Sequence, residues 1–160
     1  MHEEVEKRAR LLGAVALTFL TGCSGADAGS VACTDMGCED GLSVDFSLTE
    51  PGDYTVEIVA DGQTITCSAT LPLPPCDRGG ASCSAPGVLL MASGCALPAS
   101  NHSLGGVMLS GAHPETVEVV VSRDGNEERR QSFTPTYQRV APNGEACGPI
   151  CNQATVTLSP

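Results

Sequence analysis

The chain is poor in aromatic side chains. Its 160 residues include no tryptophan, three phenylalanines and two tyrosines. A core built from Val, Leu, Ile and Ala buries less apolar area per residue than a core with aromatic anchors. A domain of this composition gains from additional covalent stabilisation, and the nine cysteines of the sequence are its evident source.

Short motifs of the common enzyme classes are also lacking. The sequence has no G-x-S-x-G elbow, no H-E-x-x-H, no P-loop and no G-x-G-x-x-G. His2 lies near the N-terminus, whereas His102 and His113 stand in the turn-like contexts SNHS and AHPE. We expect both of the latter to be exposed loop residues. The sequence therefore predicts no catalytic residue, no enzymatic activity and no cofactor.

Positive charge is scarce beyond residue 22. That part of the chain has no lysine and five arginines against sixteen carboxylates, and the whole sequence carries a formal net charge of −11. Such a surface is repelled by nucleic acid phosphates and by anionic lipids, so we expect no nucleic acid partner. A solvated acidic surface explains the balance best, and the alternative is weak binding of divalent cations or of basic partners.

Two acidic turns bear on calcium. The turns CEDG and RDGNEE contain Asp40, Asp124 and Glu127, whose carboxylates could coordinate a calcium ion. Neither turn matches the spacing of an EF-hand loop. We therefore predict no metal site.

No apolar run is long enough to cross a membrane. The longest, residues 11–20, would span about 15 Å as a helix, half of a bilayer's roughly 30 Å hydrocarbon core. Lys7, Arg8 and Arg10 precede this run and small residues follow it. This layout is typical of a secretory signal peptide, which we place at residues 1–22. A buried core helix is the alternative.

Leu20-Thr21-Gly22-Cys23 resembles the lipobox of bacterial lipoproteins. The resemblance implies that Cys23 becomes the mature N-terminus and carries a thioether-linked diacylglycerol and an N-acyl chain, such as palmitate. Two acyl chains already make a stable membrane anchor. Ser24 in the following position implies the outer membrane of the cell envelope. The alternative is that Cys23 forms an ordinary disulfide.

Without Cys23, an even number of cysteines remains: Cys33, Cys38, Cys67, Cys76, Cys83, Cys95, Cys147 and Cys151. No C-x-x-C occurs, which disfavours zinc and iron–sulfur sites. Four disulfides are the simplest expectation in an exported protein, with about 105 possible connectivities. Because domain termini tend to lie close together, we predict that Cys147 or Cys151 bonds to Cys33 or Cys38.

Alternation of apolar and polar residues predicts strands through most of the mature chain. GLSVDFSLTE places Leu42, Val44, Phe46 and Leu48 on one face. YTVEIVA and QTITCSATL are joined by Asp61-Gly62, a hairpin signal. Cys67 falls on the inward face of the second run, as a core-crossing disulfide would require.

The remaining segments alternate loops and strands. Residues 72–87 are rich in Pro, Gly and Cys and have no apolar periodicity, so they predict a loop held by disulfides. VLLMA and GGVMLSG follow as strands, then a second hairpin with Asp124-Gly125 at its turn. A last strand places Ala154, Val156 and Leu158 inward. Roughly eight short strands predict an all-β, antiparallel two-sheet sandwich of immunoglobulin-like or transthyretin-like type over residues 33–160, after a tether at 23–32.

PGDYTVEIVADG resembles the hairpins of bacterial immunoglobulin-like and carboxypeptidase-regulatory-like modules. The mature pattern, with CGPIC near its end, is similar to predicted lipoproteins of myxobacteria, which carry no known activity. The expectation is a lipid-anchored binding or structural module of the cell envelope, with an envelope protein or a polysaccharide as partner. The alternative is an envelope hydrolase built around His102 or His113.

Overall fold

Two β-sheets make up the domain. The structure, a computed structural model, describes residues 32–160, so the predicted signal peptide, the lipobox-like motif and Cys23 lie outside the described part. The strands are β1 (Gly41–Leu48), β2 (Gly52–Ala60), β3 (Gln63–Leu71), β4 (Ala81–Cys83), β5 (Val88–Ser93), β6 (Ser103–Ser110), β7 (Val117–Arg123), β8 (Asn126–Phe133), β9 (Gln138–Val140) and β10 (Cys151–Thr157). Short 3-10 turns form at Cys76–Arg78 and Ala99–Asn101.

Each sheet has five strands. The first has the order β5-β6-β1-β10-β9 and the second the order β4-β3-β2-β7-β8. Neighbouring strands are antiparallel except β1 and β10, which run parallel. The predicted all-β sandwich is confirmed, with ten strands among residues 32–160 instead of about eight.

The turn residues fix both hairpins. Asp61 and Gly62 have φ of 47° and 81°, and Asp124 and Gly125 have φ of 50° and 79°. Two successive residues with positive φ are typical of the type I′ turn, whose twist matches that of the strands it joins. The two hairpins lie side by side because β2 pairs with β7.

A single aliphatic core fills the space between the sheets. The predicted inward faces are buried in both sheets: Leu42, Val44, Phe46 and Leu48 on β1, and Tyr54, Val56 and Ile58 on β2. Burying one such side chain contributes about 1.5–3 kcal/mol, so strict alternation over eight residues is enough to hold a strand to one register.

The parallel pairing of β1 and β10 brings the ends of the domain together. Gly41 is the partner of Gln153, so the starts of both strands lie side by side. Cys38 precedes Gly41 by three residues and Cys151 precedes Gln153 by two. A parallel register therefore places these two cysteines within bonding reach.

The expectation for residues 72–87 was incomplete. This segment contains the 3-10 turn and the short strand β4, which pairs with the edge of β3. Cys67 is buried as predicted, but its disulfide does not cross the core. It bonds to Cys83, its direct neighbour across the β3–β4 pair, with the Cα atoms 4.0 Å apart.

Candidate functional site

All eight cysteines after Cys23 are paired. The bonds are Cys33–Cys147, Cys38–Cys151, Cys67–Cys83 and Cys76–Cys95. The predicted bonding of Cys147 or Cys151 to Cys33 or Cys38 is confirmed, because each of the two C-terminal cysteines forms such a bond. We call the first two bonds the terminal disulfides and the last two the local disulfides.

Asn143 reinforces the terminal disulfides. Its Nδ2 donates to the carbonyls of Met36 and Gly148, both at 2.8 Å, and its Oδ1 accepts from the N–H of Met36 and the hydroxyl of Thr34. One amide side chain thus connects the incoming chain to the turn before β10. Sequence reasoning missed this role because Thr34 and Met36 lie more than 100 residues away along the chain.

Asp40 and His113 meet at the same end of the domain. Nε2 of His113 lies 3.0 Å from the carbonyl of Asn152 and 3.2 Å from Oδ1 of Asp40. Oδ1 of Asp40 also accepts the N–H of Asn152 at 2.7 Å. This N–H and then His113 hold the pKa of Asp40 below its ordinary value of 3.8.

His113 borders a cleft of about 400 Å³ at the end of the sandwich. Its lining combines apolar side chains, among them Ile65, Val88 and Leu109, with polar ones that include Asp61. The carboxylate of Asp61 accepts hydrogen bonds from the backbone N–H groups of Thr116 and Glu115, which lower its pKa. His113 is an exposed loop residue, as predicted, but its ring is hydrogen-bonded and borders a concave surface.

His102, in contrast, departs from the sequence prediction. We expected an exposed loop residue, but His102 is 6% exposed. Its Nδ1 accepts the N–H of Leu73 at 2.9 Å and its Nε2 lies 3.0 Å from the carbonyl of Leu97. Since Nδ1 accepts, Nε2 carries the proton and donates to Leu97. With both nitrogens engaged, His102 serves as a structural link and not as a base.

A larger groove, of about 700 Å³, lies on the outer face of β2, β3 and β4. We call it the hydroxyl groove after four exposed hydroxyl side chains. These are Thr55, Ser68, Thr70 and Ser82. The pairing register places Thr55 beside Ser68 and Ser68 beside Ser82, so three hydroxyls form a row across the strands.

Some of these groups are already oriented. The hydroxyls of Ser68 and Ser82 lie 3.2 Å apart, and the hydroxyl of Thr70 donates to Oδ1 of Asp53 at 2.7 Å. Asp53 and Arg78 bring one charge of each sign to the lining. Within residues 32–160, the Arg78 side chain has neither an ion pair nor a hydrogen bond, so its donors face solvent.

One wall of the groove is the segment with Pro72 and Pro74. His102 holds Leu73 between these two prolines, and the Cys76–Cys95 disulfide ties the segment to the chain after β5. The alternation of β2 and β3 places three of the hydroxyls outward from sequence alone. The irregular segment at residues 72–87 supplies the wall, Ser82 and Arg78. Its sequence has no apolar–polar alternation from which their positions could be predicted.

The acidic residues considered for calcium have protein partners. Asp124 accepts the N–H of Asp53 at 2.9 Å, and Glu127 pairs with Arg130 at 2.8 Å. Among residues 32–160 no group of three or more His, Cys, Asp or Glu side chains is arranged to hold a metal ion.

No helix in the described range is both long and apolar enough to cross a membrane. Comparisons with family models, with curated proteins and with solved structures return no match to this chain.

Proposed function

We propose that this protein is a lipoprotein of the bacterial cell envelope, anchored in the outer membrane through acylated Cys23, that acts as a binding module. The leader and the LTGC sequence support the anchor. Four disulfides suit an exported protein, because thiols are kept reduced in the cytosol.

The observation that carries the proposal is the covalent closure of the domain directly after the tether. Cys33 follows Cys23 by ten residues and is bonded to Cys147. Ten extended residues reach at most about 33–36 Å, which lets the domain clear the lipid headgroups while it stays near the membrane. A force on the anchor would be transmitted through Cys33–Cys147 and Cys38–Cys151 to the chain at β10, and would not unravel the start of β1.

Acylation of Cys23 is the direct test. In cells labelled with radioactive palmitate, we expect Cys23→Ala to lose both the label and its place in the membrane fraction. The matched control is Cys38→Ala/Cys151→Ala, which removes cysteines but keeps the lipobox and should still label and pellet. A Cys23→Ala protein that labels and pellets like the wild type contradicts the proposal.

The His113–Asp40 contact favours a second candidate, an envelope hydrolase. The carboxylate of Asp40 and the Asn152 carbonyl hold the Nε2 proton, which leaves Nδ1 to accept a proton from water. His113 also lines a concave surface, where a general base could meet a substrate. No serine or cysteine hydrogen-bonds to His113 in residues 32–160, so this chemistry would use water directly.

Turnover of a panel of chromogenic esters, amides and glycosides tests this candidate. His113→Gln should abolish any activity, and Glu115→Gln, an exposed change two residues away, should retain it. Activity that survives in His113→Gln, or no turnover of any substrate by the wild type, rejects the hydrolase.

A further inference from the structure

We infer that the hydroxyl groove binds a neutral polysaccharide. This inference rests on the proposed function and names the ligand class of the binding module. It starts from the chemistry of the lining, which offers hydroxyls, one carboxylate and one guanidinium on a solvent-exposed concave surface.

The lining matches a ligand that both donates and accepts hydrogen bonds. A sugar hydroxyl does both, and it meets acceptors in Asp53 and donors in Arg78, with the threonine and serine hydroxyls able to serve in either sense. The hydrogen bonds between Thr70 and Asp53 and between Ser68 and Ser82 hold these groups in place before binding. Less side-chain freedom is then lost when the ligand binds.

Charge argues against an anionic ligand. Arg78 is offset by Asp53 within the groove, and the chain as a whole carries a formal charge of −11. A phosphate or a polyanion would approach against this field. A neutral chain of sugars avoids that repulsion and still uses every polar group of the lining.

The geometry suits an extended ligand. Thr55, Ser68 and Ser82 stand in one row on three adjacent strands. Neighbouring strands lie about 4.8 Å apart, so a linear chain crossing them meets a hydroxyl at each regular step. The disulfide Cys76–Cys95 and the buried His102 keep the proline-bearing wall along this row rigid.

The groove has no exposed aromatic platform for a sugar ring. Tyr54 belongs to its lining but is only 2% exposed, and its hydroxyl donates to the carbonyl of Glu50. Its apolar surfaces are instead the rings of Pro72 and Pro74 and the small side chains of Ala69 and Ala81. We therefore expect weak binding by each copy, with a Kd of roughly 0.1–1 mM, which many copies anchored in one membrane would strengthen by multivalency.

Affinity electrophoresis of the full-length lipidated protein in detergent tests the inference. The gels contain neutral polysaccharides (dextran, amylose, hydroxyethyl cellulose) or acidic ones (alginate, polygalacturonate). We expect retardation by at least one neutral polymer and none by the acidic ones. Inorganic phosphate at 10 mM should not compete.

Paired variants locate the site. Thr55→Val/Thr70→Val removes two hydroxyls while it keeps strand-favouring branched side chains, and should weaken retardation about tenfold or more. Thr64→Val, on the same face of β3 but outside the groove, should bind like the wild type. Equal weakening by both changes, or by neither, overturns the assignment to the groove.

The remaining outcomes are equally decisive. Retardation by acidic polymers alone, relieved by phosphate, shows an anion site at Arg78 and overturns a neutral ligand. No retardation by any polymer overturns the polysaccharide class. In that case a palmitate-labelled, membrane-bound wild type would leave the lipid-anchored module standing, so the two proposals fail separately.

Discussion

The terminal disulfides join cysteines 114 and 113 residues apart, whereas the local disulfides span only 16 and 19 residues. Closing a longer loop removes more freedom from the unfolded chain. The terminal disulfides hold the parallel β1–β10 pair and the N-terminal end of the domain. The local disulfides instead organise the segment between β3 and β6 that forms one wall of the groove. Stability and binding should therefore depend on different cysteines.

The largest effect should follow the loss of both terminal disulfides. Replacing Cys33, Cys38, Cys147 and Cys151 with alanine opens the long loop, and we expect the free energy of unfolding to fall by about 7 kcal/mol. A domain of this size has a stability of about 5–15 kcal/mol, so the variant should be marginal or unfolded. Urea unfolding followed by circular dichroism measures this. A loss no larger than that from both local disulfides would contradict the difference in loop length.

Removing one terminal disulfide should cost slightly less than half of that. With Cys33–Cys147 intact, the chain ends remain tied, and Cys38–Cys151 closes only the small loop made by residues 33–38 and 147–151. Each single removal should then cost about 3 kcal/mol, less than half of the effect of the double removal. The same urea measurements on the two single-bond variants and the double variant give the coupling. Strict additivity would show that the two bonds do not share one loop.

The strand pattern could be predicted because it is local. One face of β1, β2 or β3 can be read from alternation over eight or nine residues, and the DG turns place the hairpins. The link between the ends could also be predicted, from the proximity of domain termini. The burial of His102 could not, because its partner Leu73 lies 29 residues away and a short 3-10 turn directs its ring inward.

Other features were hidden for related reasons. β4 has three residues, too few to show alternation, so the partner of Cys67 could not be identified. The parallel β1–β10 pair depends on how the whole chain returns to its start, which no local pattern encodes. The groove combines two regular strands with one irregular segment, and only the strand half could be predicted from sequence.

The local disulfide Cys76–Cys95 should affect binding more than its stability cost implies. Its removal by Cys76→Ala/Cys95→Ala should cost about 3 kcal/mol, similar to a single terminal disulfide. Because it fixes the wall with Pro72 and Pro74, we also expect about a tenfold loss of polysaccharide retardation. The matched control is Cys33→Ala/Cys147→Ala, equally destabilised but far from the groove along the chain. Equal retardation by the two folded variants would show that the wall does not need this bond.

The smallest effect concerns Asp40, which lies beside the terminal disulfides. Its pKa is lowered by the N–H of Asn152 and by His113, so the folded state favours the carboxylate. The resulting stability is fully present above the ordinary pKa of 3.8 and is lost as pH falls through the lower folded-state pKa.

Asp40→Asn keeps an oxygen acceptor but removes the charge. We therefore expect a melting temperature slightly below wild type at pH 7, and a difference that shrinks and is lost as pH falls below 3.8. Asp35→Asn, an exposed change in the same segment, should match the wild type throughout. A difference for Asp40→Asn that persists unchanged at low pH would mean that the hydrogen-bond geometry, and not the charge, supports the junction of β1 and β10.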